Sequence, residues 1–349
     1  MTRTLKPVAL AAAAFCLSAS AFAQSSVSAY GIVDMAAGQF QDAGAEKIYK
    51  AESGGMSTSF LGFAGSEDLG GNLKAKFAIE SFLRADSGNS GRFNGDVFWA
   101  RAAWVGLSGD FGTTTLGRTT NQFFVSTLIF NALGDSFGYS PSIRQVLTPS
   151  VQHPQMLAFL GDTGWSNSIL YSSPSFGGLS FNLQGALGEG GAGTTGASYG
   201  GNVLYFGGPF AATLAYQQVK HGAAAFGTPA IQSVGFDSQD SVQVGVSWDF
   251  NIVKLFGQYS QVETNAATDT KSEIWGLGAS VPLGAGKLLG QYGEATAKYP
   301  TTEVVNKTLT VGYDYFLSKR TDIYAVAVND KLTNLSTGNT FAFGLKHKF

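Results

Sequence analysis

Cysteine is almost absent from this sequence, and its one occurrence, Cys16, lies near the amino terminus. A single cysteine cannot form a disulfide framework or a thiolate zinc site, so both kinds of stabilisation are excluded. The three histidines are far apart in sequence, and none has a second metal ligand at a suitable spacing. We therefore expect the chain to fold without a metal ion or a cofactor.

Charged residues and long apolar runs are also scarce. Asp, Glu, Lys and Arg make up 13% of the residues, about half of the share in ordinary soluble domains. Acidic residues outnumber basic ones by 24 to 22, which argues against a general nucleic-acid-binding protein. No stretch beyond residue 23 has about 18 consecutive apolar residues, as a membrane-spanning helix would need. A charge-poor chain without such helices is more typical of a transmembrane β-barrel than of a soluble sandwich.

The first 23 residues have the three parts of a secretory signal peptide. Arg3 and Lys6 give a positive start, and residues 7–18 are apolar and rich in alanine. Residues 21–23 read Ala-Phe-Ala, a small-x-small cleavage site, so we predict cleavage after residue 23. The mature chain, residues 24–349, would then form a single domain with 20 basic and 24 acidic residues.

Glycine, with 46 residues, and phenylalanine, with 27, are abundant. Many segments alternate between apolar residues and small or polar ones. In residues 241–250, valines and aromatic residues occupy the even positions, while Ser, Gln, Gly and Asp occupy the odd ones. In residues 339–349, Phe341, Phe343 and Leu345 share one face, and Lys346 lies on the other. This period of two predicts β-strands whose apolar side chains face lipid and whose polar side chains face a lumen.

Short and long connections alternate along the chain. Short turns recur, for example at residues 67–71 and 108–112, and longer polar stretches such as 85–95 and 220–238 lie between them. Sixteen strand segments are counted between these connections. The sequence therefore predicts an all-β fold, namely a transmembrane antiparallel β-barrel of 16 strands with tight periplasmic turns and longer external loops.

One connection, from Thr119 to about Trp165, is much longer than the others and rich in aromatic residues. A loop of this length without strand alternation is expected to be functional. We expect it to fold into the barrel, where it would bury its aromatic side chains and narrow the lumen. The alternative is an external flap that packs on neighbouring loops.

Strand alternation selects the charged side chains that can face the lumen. On residues 73–84, the apolar positions are odd, so the even positions are predicted to face inward. The charged residues at these positions are Lys74, Lys76, Glu80 and Arg84. On the next strand, Arg101 has the opposite parity to Ala102 and Trp104. We predict that Trp104 faces lipid or a neighbouring subunit and that Arg101 faces water, because a charge facing lipid costs roughly 2–4 kcal/mol.

Three further charged residues are candidates for the constriction. Arg118 ends the strand that leads into the long connection, and Asp135 and Arg144 lie within that connection. Arg118 would contact a solute directly, pair with loop carboxylates and so hold the loop in place, or do both. Both roles remain open at this point.

Several stretches, at residues 26–34, 65–71, 105–118, 171–178 and 311–324, resemble the general porins of Gram-negative β-proteobacteria. These are trimeric, sixteen-stranded channels of the outer membrane. The resemblance implies that residues 119–165 are the third external loop and form a constriction inside the barrel. It also implies a homotrimer that passes small hydrophilic solutes and ions and contacts outer-membrane lipid and lipopolysaccharide.

The end of the sequence also resembles this family. Phe349 is expected to close the last strand against the first. In the family, a terminal aromatic residue preceded by a residue such as Lys348 is recognised by the barrel-assembly machinery. The chain departs from the family at Phe60 and Ala64, where basic residues are often found on the second strand. This departure makes the wall less cationic than the resemblance implies.

Three functions from different classes remain. The first is a diffusion porin with a water-filled channel, whose selectivity is set by charged residues at a constriction. The second is a substrate-selective uptake channel for organic acids or aromatic anions. The third, an enzyme or adhesin built on a barrel, is not expected, because no catalytic constellation is recognisable. Conductance across a planar bilayer would distinguish the first two.

Overall fold

A computed structural model describes residues 26–147, 161–188, 196–220 and 236–349, so the predicted signal peptide and its cleavage site lie outside the described residues. The described strands are β1 (Ser26–Phe40), β2 (Ile48–Ser53), β3 (Phe60–Gly70), β4 (Leu73–Arg84), β5 (Asn89–Ser90), β6 (Ala102–Gly109), β7 (Gly112–Thr120), β8 (Gly164–Ser172), β9 (Leu179–Ala186), β10 (Ser198–Gly207), β11 (Phe210–Lys220), β12 (Phe236–Asp249), β13 (Lys254–Ala266), β14 (Thr270–Leu283), β15 (Gly286–Lys298), β16 (Glu303–Phe316), β17 (Thr321–Leu332) and β18 (Gly338–Lys348). The described helices are α1 (Gln122–Ile129) and α2 (Pro141–Leu147), both between β7 and β8. No helix among the described residues has the length and apolar content needed to cross a bilayer.

The strands form a closed antiparallel barrel. β2 and β3 are two parts of one interrupted strand, since both pair with β1, and β5 adds only two residue pairs beside the end of β4. β18 pairs with β1 over a continuous register from Ile32↔Lys348 to Gln39↔Phe341. The barrel therefore has sixteen strands, which confirms the prediction from the alternating connections.

The two faces of each strand differ as the alternation predicts. On β18, Phe343 is 72% exposed on the outer face, whereas its neighbour Ala342 is 1% exposed on the inner face. On β12, Val244 is exposed on the outer face and Gln243 is completely buried on the inner face. A row of apolar side chains on the outside suits the hydrocarbon layer of a membrane.

One end of the barrel, here called the turn end, carries tight connections such as residues 71–72, 208–209 and 284–285. Asn72 and Asn251 adopt positive φ angles of 64° and 67° in turns at this end, a conformation that Asn tolerates better than most residues. The opposite end, here called the loop end, carries most of the longer connections. The connection between β13 and β14 is an exception, because only residues 267–269 separate these strands.

The predicted orientation of Trp104 is wrong. β6 begins at Ala102, so Arg101 precedes the strand. The odd or even position of Arg101 therefore does not predict which face of β6 the other residues occupy. The register pairs Trp104 with Ala78, which is buried, while Val105 is 58% exposed on the outer face. Because paired residues in adjacent strands share a face, Trp104 points inward.

The closure at β1 and β18 generates a test. Phe349 donates its backbone N–H to the Gly31 carbonyl oxygen at 3.2 Å and accepts from the Gly31 N–H at 3.3 Å. Deleting Phe349 removes this pair of bonds, so we expect less heat-modifiable barrel in the outer membrane and unchanged export to the periplasm. Phe349→Ala keeps the backbone bonds and isolates the contribution of the ring. Normal outer-membrane levels of the deletion variant would contradict the prediction.

Candidate functional site

The long connection begins with a capped helix that lies against the inner face of the barrel. The Asn121 side chain accepts a hydrogen bond from the Phe124 backbone N–H at 2.9 Å and so caps α1. The same side chain donates to the Gln217 Oε1 at 2.7 Å, and Gln243 donates to the Thr127 Oγ1 at 2.9 Å. Both glutamines are inward-facing and buried. Their amides therefore hold α1 against β11 and β12.

The second helix contacts a different part of the wall. Gln291 on β15 donates to the Ser142 Oγ at 2.7 Å, and Gln145 donates to the Thr308 Oγ1 on β16 at 3.2 Å. Polar side chains of the inner face are thus hydrogen-bonded to α2. Two aromatic side chains of the long connection, Phe123 and Phe130, are each 1% exposed.

Arg118 lies opposite a β-bulge at the entrance to this segment. The pairing of β7 with β8 shifts between Gly117 and Thr119, where β8 carries the extra residue, so Arg118 faces both Ser166 and Asn167. Its guanidinium donates to the Asp162 Oδ2 at 2.6 Å and, through Nε, to the Ala100 carbonyl oxygen at 2.6 Å. Of the two roles considered for Arg118, these contacts match the one that holds the loop.

A second arginine, Arg92, binds the same carboxylate, and no sequence pattern identified it. Arg92 donates to both carboxylate oxygens of Asp162 and also pairs with Asp96, with 2.9 Å between Nε and Oδ2. Burial alone would raise the pKa of Asp162, but Arg92 and Arg118 outweigh burial and hold this pKa below its usual range. The Arg92–Asp162–Arg118 cluster joins residues 85–101 to the exit of the long connection.

Arg101 lies on the inner wall beside an acidic and an aromatic residue. Its guanidinium donates to Glu80, which also accepts from the Tyr30 hydroxyl. The same guanidinium lies 3.9 Å from the centre of the Phe60 ring. The Arg101 side chain remains 34% exposed. Glu80 offsets its charge.

The remaining predicted residues on β4 are not grouped with this pair. Lys74 and Lys76 lie close to the turn end, and neither forms an ion pair with another described residue. Arg84 lies at the other end of the strand, where it donates to the Asn94 Oδ1 at 2.9 Å. Strand alternation predicts that these side chains share one face of β4. It gives no information about the distances between them along the strand.

The two charged residues between the helices and on α2 have different surroundings. Asp135 is exposed and accepts a hydrogen bond from the Ser57 Oγ at 2.9 Å. Arg144 instead donates to the Asp42 Oδ1 at 2.6 Å and lies 3.7 Å from the Asp330 Oδ2. Arg144 thus fastens α2 to the loop end, and Asp135 is the one that faces open space.

Residues 9–335 match the family model described as Gram-negative porin. The chain belongs to this family. This porin is accordingly a channel of the outer membrane and not an enzyme. It is 34% identical to outer membrane porin protein 32 of Delftia acidovorans over 337 residues, which cover 92% of this chain and 88% of that protein. It is 25% identical to an outer membrane porin protein of Bordetella pertussis over the full length of both chains.

Solved structures give the same result for the fold. The anion-selective porin from Comamonas acidovorans is 29% identical to this porin, with a TM-score of 0.77, and the match covers 93% of this chain and 100% of that one. A trimer form of OmpT from Vibrio cholerae has a TM-score of 0.69 at 14% identity, covering 93% and 99% of the two chains. The second likeness concerns the fold alone.

The buried cluster predicts a large effect of Asp162→Asn. This change leaves Arg92 and Arg118 buried without their shared counter-charge, a loss typically worth about 3–5 kcal/mol. We expect a lower melting temperature, measured by circular dichroism in detergent micelles. Glu263→Gln is the control, because the Glu263–Lys271 pair is largely exposed and is expected to be worth at most about 1 kcal/mol.

The pH dependence of this effect has a defined sign. Because folding lowers the pKa of Asp162, its stabilising contribution is complete above the ordinary value of about 4. That contribution is lost only as the pH falls through the lowered, folded-state value. The wild-type porin and Asp162→Asn should therefore differ equally at pH 7 and pH 5. A difference that disappears already at pH 5 would contradict the assignment.

Proposed function

We propose that residues 119–165 narrow a water-filled lumen through which small hydrophilic solutes and ions diffuse passively. The observation that supports this proposal is the position of the two helices. α1 is hydrogen-bonded to inward-facing residues of β10 to β12, and α2 to inward-facing residues of β15 and β16. A segment attached to separated parts of the inner wall reduces the open cross-section of the barrel.

Charged residues at this constriction set the selectivity. On the wall side, Arg101 is exposed to the lumen but is neutralised by Glu80, and Phe60 adds no charge. On the loop side, Asp135 is the exposed charge. Lys74 and Lys76 add positive charge nearer the turn end. This mixture of charges supports a modest preference between anions and cations. The preference would be larger if a basic residue stood in place of Phe60 on the wall.

A substrate-selective channel for organic acids or aromatic anions is the second candidate. One observation favours it, namely the exposed Arg101 guanidinium that lies against the Phe60 ring. A cation beside an aromatic surface can contact both the carboxylate and the ring of such a solute. This candidate predicts that an aromatic carboxylate blocks the ion current at low concentration.

The export and assembly partners follow from the same proposal. Residues 1–23 direct export and are cleaved, the porin assembles as a homotrimer, and Lys348 with Phe349 is read by the barrel-assembly machinery. Ion pairs such as Lys298–Glu273 and Lys307–Glu294 lie on the outer face near the loop end. Their position supports contact with the charged head groups of lipopolysaccharide, while lipid chains cover the apolar band below.

Conductance in a planar bilayer under a KCl gradient tests the proposal. Openings that close in three equal steps, with a small reversal potential, are expected of a trimeric diffusion channel. Absence of conductance in KCl, with current appearing only when an organic acid is supplied, would refute passive diffusion and favour the second candidate.

The Arg101–Glu80 pair generates a matched set of variants. Arg101→Glu replaces the exposed cation by a second carboxylate, so we expect the reversal potential to shift toward cation preference. Glu80→Gln removes only the neutralising charge and should shift it toward anion preference. An unchanged reversal potential in both variants would remove this pair from the selectivity site.

A further inference from the structure

The second strand of the barrel is interrupted where it passes Asp34. Residues 54–59 separate β2 from β3, and Gly54 adopts a φ of 78° at the start of this break. The Asp34 backbone holds both ends of the break. Its carbonyl oxygen accepts from the Gly54 N–H at 2.8 Å, and its N–H donates to the Ser59 Oγ at 2.9 Å.

The Asp34 side chain holds the middle of the same break. Its Oδ2 accepts from the Ser57 backbone N–H, and its Oδ1 accepts from the Tyr324 hydroxyl at 2.6 Å. Asp34 is completely buried, and no described lysine or arginine pairs with it within 4.0 Å. A buried carboxylate without an ion pair is stabilised mainly by its hydrogen bonds. Losing either bond would therefore leave a buried charge only partly satisfied.

Residues of this break are hydrogen-bonded to the long connection. The Gly55 carbonyl oxygen accepts from the Gly138 N–H at 3.1 Å and from the Ser136 hydroxyl at 2.7 Å. The Ser57 hydroxyl donates to the Asp135 Oδ1 at 2.9 Å. These bonds fix the exposed Asp135 and the backbone that follows it.

Close packing adds to the hydrogen bonds between the break and the long connection. A Cβ at Gly55 would lie 2.4 Å from the Tyr139 hydroxyl oxygen, so the aromatic ring packs directly on the backbone of the break. The Tyr139 ring also meets the Tyr324 ring edge-on, with 6.1 Å between their centres. Tyr324 therefore contacts Asp34 through its hydroxyl and the long connection through its ring.

We propose that Asp34 is a positioning residue for the constriction. It holds residues 54–59 in their inward conformation, and that segment holds residues 135–139 at a fixed distance from the opposite wall. Asp34 does not itself touch the solute. The inference rests on the proposed function, because it requires residues 119–165 to narrow the channel.

Asp34→Asn tests the inference. An amide can accept at only one of its two polar atoms, so one of the two hydrogen bonds is lost. A hydrogen bond to a charged group is worth about tenfold in an equilibrium constant. We therefore expect partial closures of single channels, recorded at fixed voltage, to become about tenfold more frequent. Tyr324→Phe keeps the ring and removes one of the same two donors, so it should change the closures in the same direction.

Asp314→Asn is the matched control. Asp314 is also a buried, inward-facing carboxylate, but it pairs with Lys287, whose Nζ lies 3.8 Å from Oδ2, and it has no hydrogen bond to the break or to the described part of the long connection. This variant should conduct as steadily as the wild type. Equal flicker in Asp314→Asn and Asp34→Asn would show a general effect of losing an interior carboxylate and overturn the proposal.

A reversible cross-link separates positioning from general stability. Ser57→Cys with Asp135→Cys, introduced into Asp34→Asn, places two thiols where the native side chains are hydrogen-bonded, and the one native cysteine lies in the predicted signal peptide. Oxidation should restore steady conductance, and reduction should abolish it. A cross-linked channel that still flickers would overturn the proposal.

Two further outcomes are distinct. A wild-type porin that does not conduct in KCl refutes the proposed function. A wild-type porin that conducts steadily, with Asp34→Asn and Tyr324→Phe indistinguishable from it, refutes the role of Asp34 alone. If Asp34→Asn does not assemble, Tyr324→Phe decides the question, because it removes a single hydroxyl.

Discussion

The backbone hydrogen bonds between β1 and β18 are the constraint on which the rest of the structure depends. A bilayer offers no water to an exposed strand edge, so every N–H and C=O in the apolar layer needs a partner within the protein. Closing the sheet supplies these partners, and it also gives each strand an inside and an outside. Phe343 therefore lies on the outer face and Ala342 on the inner face, although they are neighbours in the chain.

The inside of the closed sheet creates a second requirement. Its polar side chains are too many to be left unpaired, and the helices of the long connection satisfy several of them. Gln243 and Gln291, for example, donate to Thr127 and Ser142. The buried ions follow the same rule, since Asp162 is held by two guanidinium groups. The residues of the long connection that contact the wall thus complement its inward-facing polar groups.

The sequence predicted the regular parts of this structure and failed where a local rule stopped applying. Alternation identified both faces of β12 and β18, because one apolar face per strand is a physical requirement of the membrane. It failed at Trp104 because it was extended to Arg101, which lies before the strand. Arg92 and Asp162 are 70 positions apart, and no periodic signal relates residues brought together only by tertiary folding. The role of Asp34 could not be predicted either, because Asp34 shares its strand face with the apolar Tyr30 and Ile32 and its partners lie on a strand break and on β17.

The Arg92–Asp162–Arg118 cluster has a consequence for how the surface of this porin can vary. Surface loops usually vary more in sequence than the strands that they connect. Residues 85–101 are more constrained, because Arg92 is joined through Asp162 to the exit of the long connection. A change at Arg92 would therefore alter the ion pairing of Asp162, and with it that of Arg118, as well as the loop that carries Arg92.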